Sequence, residues 1–427
     1  MTAAMVGTMI VLLLLGFPMM VPLLGATMLG FFVFFAGMKP EIMIQQMIGG
    51  VKPSALIAVP MFILAADIMT KGHSANRLLD LVMSFVGHVR GGLAITTATT
   101  CTLFGAVSGS TQATVVAVGG PLRPKMLEAG YKDSFVMALC INASDIAFLI
   151  PPSIGMIIYG VISGTSIAEL FIAGIGPGLL ILFMFSLYSY FYAWITGIPT
   201  QPKATWGERL TAIKGSIWPF GFPLIIIGGI YGGIFSPTEA ASVCVVYAVV
   251  LECLVFRSIK LSELPEIALS TGLITAVVFI LVAAGAAFSW TISFAQIPQA
   301  ILGSIGLDQA GPYMVLVAIS IAFFVGCMFV DPIVVILVLV PIFAPIVDAS
   351  GLDPVLVGII ITLQVAIGSA TPPFGCDIFT AIAIFRRPYF DVIKGTPPFI
   401  FMLLAAAAGL ILFPEIALFL RDAAFDK

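Results

Sequence analysis

Apolar runs of about 18 or more residues recur along the whole chain. As a helix, each run is long enough to cross the roughly 30 Å hydrocarbon layer of a bilayer. Of the 427 residues, 60% are hydrophobic and 9% are charged, so a water-soluble globule could not bury this much apolar surface. The chain is therefore predicted to be an all-α polytopic membrane protein. Its net charge of −3 and its lack of a long polar segment argue against a nucleic-acid partner.

The chain shows internal similarity at an offset of 221 residues, without any gap. The matched positions are Gly105 with Gly326, Pro124 with Pro345, Gly130 with Gly351, and Pro151-Pro152 with Pro372-Pro373. Each match is weak alone because glycine and proline are common in this sequence. Their shared order and offset predict a duplicated unit.

The distribution of basic residues predicts that the two copies are inverted. Arg90, Arg123 and Lys125 flank the apolar run at 91–121, whereas acids that include Asp308 and Asp348 flank the run at 312–346. Because cytoplasmic loops carry an excess of Lys and Arg, the first run is expected at the cytoplasmic face and the second at the opposite face. This tracing places 14 of the 18 basic residues inside, with the N-terminus periplasmic. The four basic residues predicted outside are Lys39, Lys52, Arg421 and Lys427.

Both runs are predicted to form re-entrant helical hairpins with a polar tip. The tip of the first run is "SGSTQAT" at 108–114, and the tip of the second is "FVDP" at 329–332. Flanks of the same sign on both sides of each run favour a hairpin, although the pattern alone also allows a full crossing. Inverted repeats with interrupted helices are typical of secondary transporters.

Two further apolar segments carry adjacent prolines beside polar residues, in "NASDIAFLIPPS" at 142–153 and "IGSATPPFG" at 367–375. Proline removes a helical hydrogen bond, and unwound backbone survives at membrane depth only inside protein or beside a cavity. Freed carbonyls with Ser, Thr and Asn oxygens suit Na⁺, and the new helix N-termini suit a carboxylate. A simple helix kink is the alternative. Two such breaks at matching repeat positions favour a functional site.

Three acids are predicted at or near membrane depth, where an unpaired carboxylate costs at least ~2.5 kcal/mol. Asp145 lies at the first break and Asp331 at the second tip, so both are candidates for an ion or substrate site. Glu239 follows Pro237 at a helix start and is equally suited to capping. Asp67 and Asp377 are interpreted as pairing partners for basic residues.

The motifs "SPTEAAS" (236–242), "GSATPPFG" (368–375), "SGS" (108–110), "AGY" (129–131) and "VDP" (330–332) together resemble the large membrane subunit of TRAP transporters, the DctM-like family. The resemblance covers essentially the whole chain and is closest to a sialic-acid system. It implies a Na⁺-driven, elevator-type importer in the bacterial inner membrane, contacting phospholipid. It also implies two partners, a small four-helix membrane subunit and a periplasmic substrate-binding protein.

The resemblance further implies Na⁺ sites on the tips and breaks. The predicted sodium ligands are Ser108, Ser110, Asn142 and Asp145 for one site, and Gly326, Asp331, Thr371 and Gly375 for the other. For substrate, the same region offers hydroxyls and an amide without a clustered arginine pair. The predicted substrate residues are Ser110, Thr111, Gln112, Ser144, Ser153 and Thr371. Such a surface suits one carboxylate on a hydroxyl-rich body, so sialic acid is the expected substrate and a C4-dicarboxylate the alternative.

The elevator expectation divides the chain into four parts. Residues 91–196 and 307–427 are predicted to move as one transport body against a scaffold of 1–90 and 197–306. Amphipathic helices at 74–90 and 289–306 are expected to lie along the two interfaces and join these bodies. The sequence leaves two other interpretations open: an intramembrane aspartyl protease with Asp145 and Asp331 as its dyad, and an ion channel, which interrupted helices also fit. The first lacks the expected sequence context, and the second lacks a filter motif.

Overall fold

The computed structural model describes residues 1–35, 37–304 and 306–425. Within these ranges the regular structure is helical, and no strand occurs there. Five of the described helices are long and apolar enough to span a membrane, or up to seven if each of two bent pairs is one span. These findings confirm the all-α, multi-pass membrane fold. The side chain of Asp308 and all of Lys427, which the charge pattern used, lie outside the described part.

The first stretch, 1–90, forms five helices. They are α1 (Thr2–Leu14), α2 (Met20–Leu29, continued as a π-helix through Phe34), α3 (Glu41–Val51), α4 (Ala58–Lys71) and α5 (Ser74–Val86). The chain reverses between α1 and α2, which pack on each other, at Gly16 with its positive φ of 79°. Helix α5 is amphipathic, as the sequence predicts.

The second stretch, 91–196, contains the first hairpin and the first broken helix. Its helices are α6 (Gly92–Ser108), α7 (Thr111–Glu128), α8 (Asp133–Ser144), α9 (Ile154–Ser163) and α10 (Ile167–Thr196). Only Gly109 and Ser110 separate α6 from α7, and the two helices pack on each other, so the predicted hairpin is present. Between α8 and α9 the chain passes through one 3₁₀ turn and the cis Pro151-Pro152 bond. The predicted helix break is therefore confirmed.

The third stretch, 197–306, differs from the expectation at its end. Its helices are α11 (Trp206–Ser216), α12 (Gly221–Tyr231), α13 (Pro237–Val249, continued as a π-helix to Val255), α14 (Leu264–Phe294) and α15 (Ile297–Ser304). The prediction of a separate helix over 289–306 was wrong, because α14 continues to Phe294 and only the short α15 follows. Stacked rings of Trp290 and Phe294, with centroids 5.2 Å apart, and the contact of Phe35 with Phe294 stabilise the last turns of α14.

The fourth stretch repeats the second. Its helices are α16 (Pro312–Cys327), α17 (Pro332–Ala349), α18 (Pro354–Ser369), α19 (Cys376–Phe385), α20 (Tyr389–Ile393), α21 (Pro397–Leu412) and α22 (Glu415–Phe425). Helices α16 and α17 pack on each other as the second hairpin, and a second cis bond, Pro372-Pro373, lies between α18 and α19. Helices α7 and α17 start 221 residues apart, as do α8 and α18, so the sequence repeat is also a repeat of structure.

Packing joins the two copies rather than leaving them side by side. Helix α9 of the first copy contacts α17 and α18 of the second, and α19 contacts α7. Among the remaining helices, α4 packs on α13, and α14 packs on α3 and α4. The contacts thus bring both hairpins and both broken helices to one region. The division into transport body and scaffold remains a prediction, because it concerns relative motion.

Candidate functional site

The first hairpin tip is a compact group of hydroxyls. The side chain of Ser110 caps α7 by accepting a hydrogen bond from the Ala113 amide at 3.4 Å, as expected for serine at a helix N-cap. Thr114 donates to the Ser110 carbonyl oxygen at 2.8 Å, and the Ser108 hydroxyl lies 3.1 Å from that of Thr114. Ser108, Thr111 and Thr114 are all buried. The tip therefore presents oxygen atoms inside the protein rather than to solvent.

The second hairpin tip uses a carboxylate where the first uses a hydroxyl. Asp331 is the residue equivalent to Ser110, and its Oδ1 accepts a hydrogen bond from the Ile333 amide at 2.9 Å at the start of α17. Gly326 lies one turn before this tip, where an added Cβ would come within 3.2 Å of the Val335 side chain. The close approach of α16 to α17 explains a glycine at that position.

Each tip is bonded to the break of its own copy. In the first copy, the Ile154 amide donates to the Gly109 carbonyl oxygen at 3.4 Å; in the second, the Phe374 amide donates to the Met328 carbonyl oxygen at 3.1 Å. Gly109 has a φ of +61°, and a Cβ there would lie 2.0 Å from the Pro152 carbonyl oxygen. Glycine at the first tip is therefore required both by its backbone conformation and by the contact with the break.

The first break holds a carboxylate without a partner. Asp145 is 1% exposed, and neither of its carboxylate oxygens has a hydrogen-bond partner. The Oδ1 of the fully buried Asn142 is also unpaired, although its Nδ2 donates to the Ala138 carbonyl oxygen at 2.8 Å. A buried charge is costly unless it is paired or bound to a metal ion. This pair of side chains therefore has the character of a cation site.

Other predicted polar residues of the first break are locally satisfied. The Ser144 hydroxyl donates to the Ile141 carbonyl oxygen at 2.5 Å. Ser153 caps α9 by accepting a bond from the Met156 amide at 3.3 Å. Each hydroxyl retains acceptor capacity, so both stay predicted substrate residues.

Asp377 lies in the first turn of α19, directly after the second break, and its surroundings differ from the prediction. Its Oδ1 accepts from the Thr111 hydroxyl at 2.8 Å and its Oδ2 from the Ser369 hydroxyl at 2.6 Å. The predicted pairing of Asp377 with a basic residue was therefore wrong. The side chain is fully buried and lies between Thr111 of the first tip and Ser369 at the end of α18. Sequence reasoning missed this role because Thr111 lies 266 positions away. An acid two positions after the Gly375 break was the only available signal.

The remaining predicted residues of this break have separate roles. The Thr371 hydroxyl donates to the Ile367 carbonyl oxygen at 2.6 Å. Gly375 precedes α19, and a Cβ there would lie 2.3 Å from the Ser369 carbonyl oxygen, so the backbone is tightly folded at that point. The break thus brings backbone oxygens close together, which is the environment that the predicted Na⁺ ligation needs.

A cavity of about 70 Å³ lies between the two hairpin tips. It is lined by Gly109, Ser110, Thr111, Gln112, Phe148, Ile154, Asp331, Pro332 and Ile333. The structure therefore brings Ser110, Thr111, Gln112 and Asp331 together around one space. The other predicted ligands do not line it. The much larger cavity of about 870 Å³ lies elsewhere, between α5 and α11.

The acids outside this region have other roles. Glu239 completes a capping box with Ser236 at the start of α13 and is exposed, which confirms the capping interpretation. Asp67 accepts a bond from the Thr271 hydroxyl at 2.6 Å and lies near Lys71. Sequence reasoning missed Glu252, a fully buried acid that binds the backbone amides of His73 and Ser74 at the start of α5.

The chemistry of these groups favours oxygen ligation of an alkali cation over a transition-metal site. Among the described residues, no group of three or more His, Cys, Asp or Glu side chains could hold one metal ion. All six cysteines are free thiols, and five are buried. Hydroxyl, amide, carboxylate and carbonyl oxygens remain, and these are the ligands of hard cations.

Comparison with known proteins places this geometry in a family. Residues 6–416 match the family model described as the "Tripartite ATP-independent periplasmic transporter, DctM component". The chain is 73% identical to an ectoine TRAP transporter large permease protein of Halomonas elongata, over 100% of both chains. It is 70% identical to an ectoine/5-hydroxyectoine TRAP transporter large permease protein of Ruegeria pomeroyi, again over 100% of both. The chain belongs to the DctM family of TRAP transporter large permease subunits.

More distant matches test the other predictions. A sialic acid TRAP permease of Vibrio cholerae is 34% identical over 88% of each chain, so the predicted closeness to sialic-acid systems was wrong. The YdaH transporter of Alcanivorax borkumensis, whose structure has an unusual topology, matches with a TM-score of 0.64 and 15% identity over 86% of each chain, which shows a shared fold. Membership of a transporter family excludes the protease interpretation, and the protein is not an enzyme.

Proposed function

We propose that this protein is the large membrane subunit of a Na⁺-coupled TRAP importer for ectoine or a closely related compatible solute. The observation that carries the substrate assignment is the 73% identity, over the full length of both chains, to a permease named for ectoine. This assignment replaces sialic acid. Permeases named for C4-dicarboxylates from Pseudomonas aeruginosa, Rhodobacter capsulatus and Vibrio cholerae are more distant relatives, at 36%, 31% and 33% identity.

The charge of the site supports a zwitterion such as ectoine, which has a carboxylate and a cationic ring. Asp145, Asp331 and Asp377 contribute carboxylates to the region of the tips and breaks, and none of them forms an ion pair among the described residues. A dicarboxylate would add two more negative charges to this region. A substrate without net charge avoids that repulsion.

The unpaired carboxylate of Asp145 supports Na⁺ coupling. A cation beside Asp145 and the Asn142 amide oxygen would satisfy three buried oxygen atoms that otherwise lack partners. Ser108 and Ser110, at the tip that contacts the same break, are the further predicted ligands. The second proposed ion position uses Asp331, with Thr371 and backbone oxygens near Gly326 and Gly375.

The small volume between the tips supports a transport cycle with a closed stage. A space of about 70 Å³ has room for roughly two water molecules, so the tips must separate to admit a solute of ectoine's size. In an elevator cycle, 91–196 and 307–427 would carry that site across the membrane against 1–90 and 197–306. Excess basic charge on one side supports an N-terminus in the periplasm.

The tripartite family supports two partners, a small four-helix membrane subunit and a periplasmic binding protein, in the bacterial inner membrane. The complete three-part system, reconstituted in liposomes, tests the proposal. We expect uptake of labelled ectoine that requires an inward Na⁺ gradient, with little uptake of N-acetylneuraminate or succinate. Liposomes without the large subunit are the control.

Equal uptake with only a proton gradient would contradict Na⁺ coupling. Transport of succinate or N-acetylneuraminate in preference to ectoine would contradict the substrate. Substrate-driven counterflow, which a channel does not support, separates a carrier from a pore. These three readouts are independent, so each part of the proposal can fail alone.

A further inference from the structure

Asp377 is a buried acid that the proposed Na⁺ positions do not use. It is fully buried in the first turn of α19, and its two oxygens accept hydrogen bonds from the Thr111 and Ser369 hydroxyls. These neutral donors and the partial positive charge of the helix N-terminus stabilise the carboxylate only in part. Two further acids, Asp145 and Asp331, lie within electrostatic range of Asp377.

An independent observation indicates that cations enter this acidic region. Both oxygens of Asp145 and the Oδ1 of Asn142 are buried and without partners, although Asp145 is within electrostatic reach of Asp377. In the described part of the chain, no three acidic, His or Cys side chains are placed to share one metal ion. The two hydroxyl bonds of Asp377 are separate from the unpaired oxygens of Asp145, so the two acids offer two distinct places for positive charge.

The position of Asp377 also connects the two copies. Thr111 begins α7 in the first copy and lines the cavity between the tips, whereas Ser369 ends α18 in the second. Each carboxylate oxygen of Asp377 keeps a lone pair beyond its hydroxyl bond. A cation placed there would be held by groups from both copies at once, close to the space that the substrate must enter.

We propose that Asp377, together with the Thr111 and Ser369 hydroxyls, forms a further cation-binding position that is occupied during transport. The positive charge comes either from an additional Na⁺ or from the cationic group of the substrate. Both sources rest on the proposed function, the first on its Na⁺ coupling and the second on its substrate.

The test compares Asp377→Asn with the wild type in the reconstituted three-part system. Asparagine keeps the size of the side chain and an acceptor oxygen but removes the charge. Asp391→Asn is the matched control, because it makes the same chemical change at an exposed acid in α20. For each protein, ectoine uptake is measured against Na⁺ concentration and against ectoine concentration.

If the charge is the substrate's, Asp377→Asn should raise the apparent KM for ectoine about tenfold or more, as for loss of one charge-assisted contact, with Na⁺ dependence unchanged. If the charge is Na⁺, the variant should lower the Hill coefficient for Na⁺ by about one. A variant whose KM and Hill coefficient both match those of Asp391→Asn would overturn the proposal.

A variant that transports nothing is resolved by thermal stabilisation of the purified protein. Loss of stabilisation by NaCl relative to KCl, or loss of stabilisation by ectoine, supports the proposal; wild-type stabilisation by both overturns it. If the wild type itself neither transports nor responds to ectoine, the proposed substrate fails. In that case only the thermal stabilisation by NaCl relative to KCl tests the proposal. If Asp377→Asn is stabilised as much as the wild type, the proposal is overturned.

Discussion

The two copies share the order of hairpin and broken helix but place their charges at different positions. Asp145, at the start of the first break, corresponds to Ala366 in the last turn of α18, and Asp377, in the first turn of α19, corresponds to Met156 in the first turn of α9. At the hairpin tips, Ser110 corresponds to Asp331. Duplication has therefore preserved helix starts, tips and breaks, whereas each copy carries different ligand chemistry. The first break has an unsatisfied carboxylate; the second has one bound by two hydroxyls.

The largest effect is expected at the unsatisfied carboxylate. Asp145→Asn should reduce Na⁺-driven ectoine uptake by about 100-fold or more, because a buried charge that pairs with an ion contributes about 3 kcal/mol or more. Initial uptake rates in proteoliposomes at saturating ectoine measure this. The matched control is Asp80→Asn, an exposed acid on α5. Uptake within twofold of that control would mean that Asp145 is not an ion ligand.

The second tip should be nearly as sensitive. Asp331→Ala removes both the cap of α17 and the carboxylate that lines the cavity, so uptake should fall by roughly 30-fold. Asp331→Asn separates the two roles, since asparagine also caps helices well. Recovery of most uptake in Asp331→Asn would assign the residue to capping alone and remove it from the proposed ion position.

At the first tip, Ser110→Ala should have a smaller effect than either acid substitution. The capping bond is long, at 3.4 Å, and replacing an N-cap serine costs about 1 kcal/mol, so we expect roughly a fivefold loss of uptake. Half-saturation by Na⁺ is the informative measurement, because a sodium ligand would shift it and a cap alone would not. An unchanged value contradicts the role of Ser110 as a ligand.

Each copy also has an ion-pair cluster at the start of its broken helix, where Asp133 begins α8 and Asp353 caps α18, and these clusters should affect stability more than transport. Arg123 binds both oxygens of Asp133, at 2.7 and 2.8 Å, and Arg421 binds Asp353 at 2.6 Å. The Arg421→Gln and Arg123→Gln variants should each lower stability by about 2 kcal/mol, as for lost hydrogen bonds to charged groups, while uptake at low temperature stays within about twofold. Thermal melting of the purified protein measures the first effect. A large loss of uptake without a lower melting temperature would contradict a purely structural role.

The sequence predicted much of the fold because its signals are local or periodic. Apolar length predicted the spans, the offset of 221 residues predicted the repeat, and "PP" and "SGS" predicted breaks and a tip. The bonds of Asp377 to Thr111 and of Glu252 to Ser74 could not be predicted, because they join residues brought together only by packing. The predicted closeness to sialic-acid systems was wrong for another reason: hydroxyl-lined breaks are compatible with many solutes, and no residue pattern distinguished sialic-acid systems from ectoine systems.

The smallest effect is expected at Glu239, which lies outside the region of the tips and breaks and has no acidic counterpart in the first copy. Glu239 caps α13 on an exposed surface, and its counterpart Pro18 precedes α2, which begins without any side-chain cap. Since the first copy forms the equivalent helix uncapped, Glu239→Ala should leave uptake within about twofold of wild type. The measurement is uptake across a Na⁺ titration, with Glu263→Ala as an exposed control acid. A shifted Na⁺ dependence in Glu239→Ala, but not in Glu263→Ala, would show that Glu239 takes part in ion coupling. The predicted scaffold of 1–90 and 197–306 would then contribute to coupling as well as to the fold.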